Sequence, residues 1–407
     1  METVIIIGAG QAGVATAQAL RAQGFEGQIM LIGAETLPPY QRPPLSKAYL
    51  SGALTDERLL IKPLSFYDDQ NITLMTDTRV LEIVPRRRIV RTDRGEFAYD
   101  HVVLATGATP RQLDPSLTRG LAGIHTLRSA ADSRGLQADL RTAQDLLILG
   151  GGYVGLEVAA VAAKQGLRVA VVEASERILQ RVAAPETSDY FRALHQRYGV
   201  TILEGQSVVR LVGDTRITGA ELSDGTRIKA DVLLTGIGVL PEVALAERAG
   251  VACENGIVTD ACGRTGPDRI WALGDCCAFP FRQHMVRLES VPHAIDQAAV
   301  IAAGIMNEPR PYQARPWFWS DQYDVKLQIA GLNHGYDRAI ARPGADEGQL
   351  SVWYYRGDQL LAVDAMNDAR TYMVARRLLD QGISPAIELL LGTDLDLKSL
   401  LQPAVAA

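Results

Sequence analysis

Apolar residues along this chain change their spacing from segment to segment, and the changes mark its elements. Short unbroken apolar runs at 4–7, 102–104, 146–149 and 232–234 predict buried strands. Helical periodicity follows two of them, so two βαβ units are expected. The first has a strand over 3–8, a helix over 11–23 and a strand over 28–33. The second has a strand over 145–150, a helix over 153–165 and a strand over 167–173. Segments 100–107 and 231–238 each read as an apolar strand ending in glycine, which makes the two halves look like an internal duplication. Gly213 and Gly225 punctuate antiparallel segments, and a strand over 269–274 precedes a helix over 292–306. After Pro309 and Pro316 the period becomes strict alternation over 325–331, 349–355 and 359–366, with Arg356-Gly357-Asp358 as a hairpin turn. A helix from Asp368 to Asp380 stops at Gly382, and a second is expected to start with Ser384 as cap and Pro385 in the first position.

Composition narrows the class. A chain of 407 residues exceeds one core, so two or three domains are expected. Hydrophobic content of 47% and charged content of 22% describe an ordinary globular protein. The apolar runs fall short of a membrane span, and residues 1–20 hold a glycine pattern rather than a signal peptide. A cytoplasmic location without a membrane partner is therefore expected. Net charge of −6 gives no general affinity for nucleic acid. The cysteines, Cys253, Cys262, Cys276 and Cys277, show no zinc spacing, so no metal site is expected. Adjacent Cys276 and Cys277 are read as buried packing rather than a vicinal disulfide.

The chemistry is carried by two glycine motifs, Gly8-Ala9-Gly10-Gln11-Ala12-Gly13 and Gly150-Gly151-Gly152-Tyr153-Val154-Gly155, each between a strand and a helix. The first glycine makes the tight turn, the second lets backbone approach a pyrophosphate, and the third lets helix pack on strand. The helix start then offers N–H groups and a positive dipole end. Each motif is followed by an acid at the end of the next strand, Glu35 and Glu173, suited to ribose hydroxyls and repulsive to a 2′-phosphate. NADH is expected over NADPH, although Arg177 and Arg181 lie close enough in sequence to weaken that choice. Two such cradles suggest electron transfer between two dinucleotides. The strand ending at Gly274-Asp275 places a carboxylate where it could bond the polyol of FAD.

With these motifs in place, the chain resembles the FAD-dependent ferredoxin reductases, among them the reductase components of aromatic-ring dioxygenases. The resemblance rests on both glycine motifs, Arg42-Pro-Pro-Leu-Ser-Lys47, Ala105-Thr106-Gly107, Glu157, Gly236-Ile-Gly-Val239, Leu273-Gly-Asp-Cys276, Glu289-Ser-Val291 and Pro316-Trp-Phe-Trp-Ser-Asp-Gln322. It implies an α/β, glutathione-reductase-like fold with two Rossmann-type dinucleotide-binding domains and a C-terminal α+β domain. The boundaries expected are 1–112 with 238–315 for FAD, 113–237 for NAD and 316–407 for the last domain. The FAD set it implies is Gly8, Gly10, Gln11, Ala12, Gly13, Glu35, Arg42, Lys47, Val80, Ala105, Thr106, Gly107, Arg128, Asp275, Val291 and Trp319. For NAD the set is Gly150, Gly152, Tyr153, Val154, Gly155, Glu157, Glu173, Arg181, Gly236, Ile237 and Glu289; Trp319 also matches an NADH-contacting position. Lys47 and Glu157 match a charged pair near the flavin where nicotinamide docks and are the expected catalytic residues. Three positions depart from the family pattern: Ala34 replaces the acid before Glu35, Glu242 follows Pro241 in place of asparagine, and His293 replaces the asparagine before Ala294. His293 is read as packing or hydrogen-bonding.

Disulfide-reductase chemistry needs cysteines on the helix after the first βαβ, and residues 41–47 contain none. The resemblance therefore implies tightly bound FAD taking a hydride from NADH and releasing single electrons to a [2Fe–2S] ferredoxin that feeds a cytochrome P450 or a ring-hydroxylating dioxygenase. Such ferredoxins are acidic, and Arg310 and Arg315 are the candidate docking residues. Arg86-Arg87-Arg88 is assigned to a hairpin. Rubredoxin, a quinone or oxygen are alternative acceptors. An NADH-sensing flavoprotein of the apoptosis-inducing-factor type ranks lower, because the third domain carries no long insertion. A monomer or weak homodimer is expected.

Overall fold

The computed structural model describes residues 1–392 and 395–401; residues 393, 394 and 402–407 of the expected last domain lie outside the described residues. The chain forms two compact units. One comprises Met1–Arg42, Leu54–Thr109 and Val239–Pro316; the other comprises Pro43–Ala53, Pro110–Gly238 and the chain from Trp317 onward.

In the first unit a parallel sheet runs in the order Ile270–Ala272, His101–Leu104, Thr3–Ile7, Gln28–Ile32, Ile72–Met75. Its central strand aligns Thr3 with Gln28 and Ile7 with Ile32. Val4, Ile6, Ile29, Leu31 and Val103 are fully buried, which is why these runs lack a polar phase. Helix Gln11–Ala22 packs Val14, Ala17 and Leu20 into the same core as Ala298, Ile301, Ala302 and Ile305 of helix Val291–Ile305. A small antiparallel sheet, Val80–Val84, Ile89–Thr92 and Gly95–Ala98, contains the arginine run as a tight turn, with Arg88 in the left-handed region.

The second unit repeats this plan. Its parallel sheet runs Thr201–Glu204, Arg168–Glu173, Asp145–Leu149, Val232–Thr235, Ile124–His125. An antiparallel trio, Val208–Gly213, Ile217–Leu222 and Arg227–Lys229, again follows. In both sheets the glycine-motif strand is central, with its βαβ partner on one side and the strand ending in glycine on the other. The same unit carries an antiparallel sheet ordered Trp317–Gln322, Val325–Gly331, Gln359–Met366, Leu350–Arg356, Arg338–Pro343. Helix Ala369–Gln381 covers it and ends at left-handed Gly382.

The helix expected from Ser384 and Pro385 starts later, at Ile387–Leu391. Ser384 Oγ instead accepts the Leu360 N–H at 2.9 Å, and the Pro385 carbonyl accepts from Tyr355 Oη at 2.9 Å. Both groups are used by tertiary bonds and cannot cap the helix. Among the described residues no helix is long and apolar enough to cross a membrane.

Candidate functional site

In the first unit the glycine loop is fixed by contact. Gly8 has φ +113°, and a Cβ there would stand 2.1 Å from the Ala105 carbonyl oxygen; one at Gly13 would stand 2.0 Å from the Gly8 oxygen. Gly10 is different, because an added Cβ would meet no heavy atom within 4 Å. It is the N-cap of helix Gln11–Ala22, and no side chain caps that helix. Open space, a glycine backbone and first-turn N–H groups at Gln11 and Ala12 make a cradle fit for an anionic diphosphate. A Cβ added at Gly274, which has φ +74°, would stand 3.1 Å from the Ala12 Cβ, and Asp275 follows on a one-turn 3-10 segment. Gln297 Oε1 holds the Gly274 N–H at 2.9 Å. Thr106 Oγ1 donates to the Glu242 carbonyl at 2.6 Å, and the Gly107 carbonyl accepts from the Glu242 N–H.

Glu35 Oε1 accepts from Arg42 Nη2 at 2.7 Å and its other oxygen accepts from the Tyr40 hydroxyl. Burial pulls the Arg42 pKa down, but Tyr40, Glu35 and Asp275 outweigh it and raise it. Val80 opens strand Val80–Val84, and Val291 opens helix Val291–Ile305. Glu289 is exposed and paired with Arg287 at 2.7 Å. Arg310 and Arg315 are exposed, with Arg310 bound to Glu308 at 3.1 Å.

In the second unit the same contacts recur. Gly150, at φ +101°, would place a Cβ 2.4 Å from the Gly236 oxygen, and Gly155 would place one 2.3 Å from the Gly150 oxygen; Gly152 faces open space. Helix Tyr153–Lys164 starts there without a side-chain cap, exposing Val154. Glu173 fastens the loop: Oε2 accepts the Gly151 N–H at 2.7 Å and Oε1 the Ser175 N–H at 2.8 Å. Arg177 is turned to Ser188 Oγ at 2.6 Å, while Arg181 Nη1 lies 3.5 Å from an ideal Cβ at Gly238. Ile237 is exposed beside Gly236. Arg128 precedes the capping-box helix Ala130–Leu140, its N–H donating to Asp132.

Lys47 and Glu157 meet within this unit. Glu157 is 4% exposed, four residues into the helix after Tyr153. Its Oε2 accepts from Lys47 Nζ at 2.8 Å and from Ser46 Oγ at 2.5 Å; its Oε1 accepts from Ser320 Oγ at 2.7 Å. Three donors suit an ionised carboxylate, which only accepts, and they offset the cost of burying it. Lys47 is held in turn by the Pro43 carbonyl at 3.1 Å. Trp319 lies on strand Trp317–Gln322 immediately before Ser320, with its ring 5.5 Å from that of Trp317. Ser46 and Ser320 are not among the residues expected from the sequence, although they adjoin Lys47 and Trp319, which are. A usable signal was present: Ser320 and Gln322 are polar residues in the buried phase of a strand.

All four cysteines are free thiols. Cys276 and Cys277 are fully buried, and burial raises both pKa values, Cys277 to about 12. Neither has thiolate character. His293 is buried, stacked on Phe279 at 4.9 Å and bonded through Nδ1 to Tyr312 Oη at 3.0 Å; burial drops its pKa to about 4.

Comparison with known proteins agrees with this geometry. Residues 2–298 match the pyridine nucleotide-disulphide oxidoreductase family, and residues 317–401 match the reductase C-terminal family. Rhodocoxin reductase of Rhodococcus erythropolis is 41% identical, covering 97% of this chain and 93% of its own. Putidaredoxin reductase of Pseudomonas putida is 38% identical, covering 100% and 98%. The crystal structure of the covalent putidaredoxin reductase–putidaredoxin complex superposes with a TM-score of 0.94 at 38% identity, over 98% of both chains. The chain belongs to the pyridine nucleotide-disulphide oxidoreductase family, in its FAD-dependent NADH:ferredoxin reductase branch.

Proposed function

We propose that this chain is an NADH-dependent FAD flavoprotein that reduces a [2Fe–2S] ferredoxin, which supplies a cytochrome P450 or a ring-hydroxylating dioxygenase. The observation that carries the reading is the pair of glycine cradles, each open over its middle glycine, in a chain whose buried Cys276 and Cys277 are protonated thiols. FAD, when bound, supplies the two-electron to one-electron conversion that no side chain can perform.

Residues 1–112 with 238–315 are assigned to FAD, with Gly10 and the helix start at Gln11 and Ala12 on its diphosphate, Asp275 on its polyol, and Glu35 on its ribose. Residues 113–237 are assigned to NADH, with Gly152 at the diphosphate and Glu173 at the adenosine ribose. Residues 316–407 are assigned to the third domain. Lys47 and Glu157 serve the nicotinamide, Lys47 as a fixed positive charge and Glu157 as the group that aims it. The ferredoxin docks through Arg310 and Arg315, in a cytoplasmic setting. Anaerobic mixing of the holoenzyme with each nucleotide tests the assignment: NADH is expected to bleach the flavin at least about tenfold faster than NADPH. Equal rates would refute the role given to Glu173.

A further inference from the structure

We infer that Ser320, held by Gln322 and His195, is a positioning residue for the Glu157 carboxylate, so that the C-terminal sheet sets the geometry of the Lys47–Glu157 pair. The inference rests on the NADH reading of that pair. Its basis is a run of hydrogen bonds in which every donor points the same way. Ser320 Oγ–H donates to Glu157 Oε1 at 2.7 Å, and Gln322 Nε2–H donates to Ser320 Oγ at 3.2 Å. His195 Nε2 lies 2.8 Å from Gln322 Oε1, and Tyr323 Oη lies 3.2 Å from His195 Nδ1. Gln322 can satisfy both neighbours only with its oxygen toward His195 and its nitrogen toward Ser320. That orientation makes His195 the Nε2–H tautomer, accepting from Tyr323 at Nδ1.

Ser320, Gln322 and His195 are fully buried. A well-packed apolar trio would serve stability equally well, so the polarity requires another reason. Their common orientation supplies it: each bond polarises the next, and the last places a hydroxyl proton on the carboxylate oxygen that Lys47 does not use. The Gln322 amide, with oxygen at one end and NH₂ at the other, stops proton passage, so the array aims Glu157 and does not feed it protons.

The outer end is anchored to the helix it serves. Tyr323 stacks on Tyr198, with centroids 3.7 Å apart and an interplanar angle of 6°, and Lys164 Nζ sits 5.8 Å from the Tyr323 centroid. Lys164 is the last residue of helix Tyr153–Lys164, which carries Glu157. Strand, array and helix thus close a loop around the carboxylate.

The test uses purified holoenzyme, anaerobic NADH reduction and crystallography. Ser320→Ala is expected to lower the limiting rate of flavin reduction about tenfold while half-saturating NADH moves less than about twofold. Ser320→Thr, which restores the hydroxyl, should return the rate to within about threefold of the parent. In the Ser320→Ala crystal structure the Lys47–Glu157 separation should exceed about 3.5 Å, beyond hydrogen-bond reach. His195→Asn should slow reduction alone and add nothing in the Ser320→Ala background, since both act through one bond. Gln322→Met, which leaves Ser320 without its donor, is measured as well and decides the question if Ser320→Ala loses flavin; about a threefold slowing is expected. Parental rates in these variants, a loss that threonine does not restore, or independent effects of His195 and Ser320 would overturn the inference. Glu157→Gln separates the two claims. If it reduces at the parental rate, the NADH reading of the pair has failed; if it alone is slow, only the positioning role has.

Discussion

Glu157 binds three donors from two separate segments, the adjacent Ser46 and Lys47 and the distant Ser320, and their removal has unequal consequences. Lys47→Met leaves a buried carboxylate without its cation, a loss of about 3–5 kcal/mol for a broken buried pair. Glu157→Gln removes the charge and keeps one acceptor oxygen, for Lys47 and Ser46 or for Ser320, with a donor NH₂ in place of the other. Thermal unfolding should therefore show Lys47→Met as the less stable variant, while both reduce flavin about 10- to 100-fold more slowly with NADH. The opposite stability order would show that Lys47, not Glu157, is the group under strain. Glu173 makes a second residue-level demand. Both its oxygens already accept backbone N–H groups of the loop, so it shapes the cradle in addition to the ribose role proposed for it. Glu173→Ala is expected to weaken NADH saturation and to cut the NADH-over-NADPH preference about tenfold. An unchanged preference would move discrimination to Arg181 or elsewhere.

The two βαβ elements were legible in the sequence because one local signal decides them. A glycine at positive φ, touching a neighbouring carbonyl, leaves no alternative residue, and that constraint is written in the motif itself. Gly150→Ala is accordingly expected to yield a flavin-containing protein that binds NADH at least about tenfold more weakly, whereas Gly8→Ala should be isolated without flavin. Flavin content and nucleotide titration check both, and a flavin-replete Gly8→Ala protein would count against the first cradle. Elements decided by tertiary bonds were less legible. Ser384 and Pro385 form a sound helix start on paper, yet strand Gln359–Met366 and Tyr355 claim them. Strands Trp317–Gln322 and Arg338–Pro343 escaped notice because aromatic residues, prolines and arginines obscure their alternation. The Ser320–Glu157 bond spans 163 residues, and no local pattern encodes such a meeting.

At the scale of the whole molecule, buried titratable groups set the response to acid. His195 and His293 both fall to about 4 through burial, so the unfolded chain takes up protons below about pH 6.5 that the folded chain refuses. Their stabilising contribution is complete above that pH and is lost as pH falls toward 4. Asp364 acts in the opposite sense, because burial lifts it to about 6 and folding then favours its protonated form between about pH 6 and 4. The histidines outnumber it, and stability should drop by about 2 kcal/mol between pH 7 and pH 5. His293→Gln should recover about half of that or more, seen as a shallower fall of the unfolding midpoint with acid; an unchanged slope would show that His293 is already charged in the folded protein. Function at this scale is a path of electrons leaving the protein, and the buried, high-pKa Cys276 and Cys277 offer that path no thiol relay. Cytochrome c reduction with NADH, measured with and without an added [2Fe–2S] ferredoxin, tests this most directly. The rate is expected to rise at least about tenfold with ferredoxin and to saturate in it. A rate that is the same without ferredoxin, sustained by oxygen or quinone alone, would contradict it.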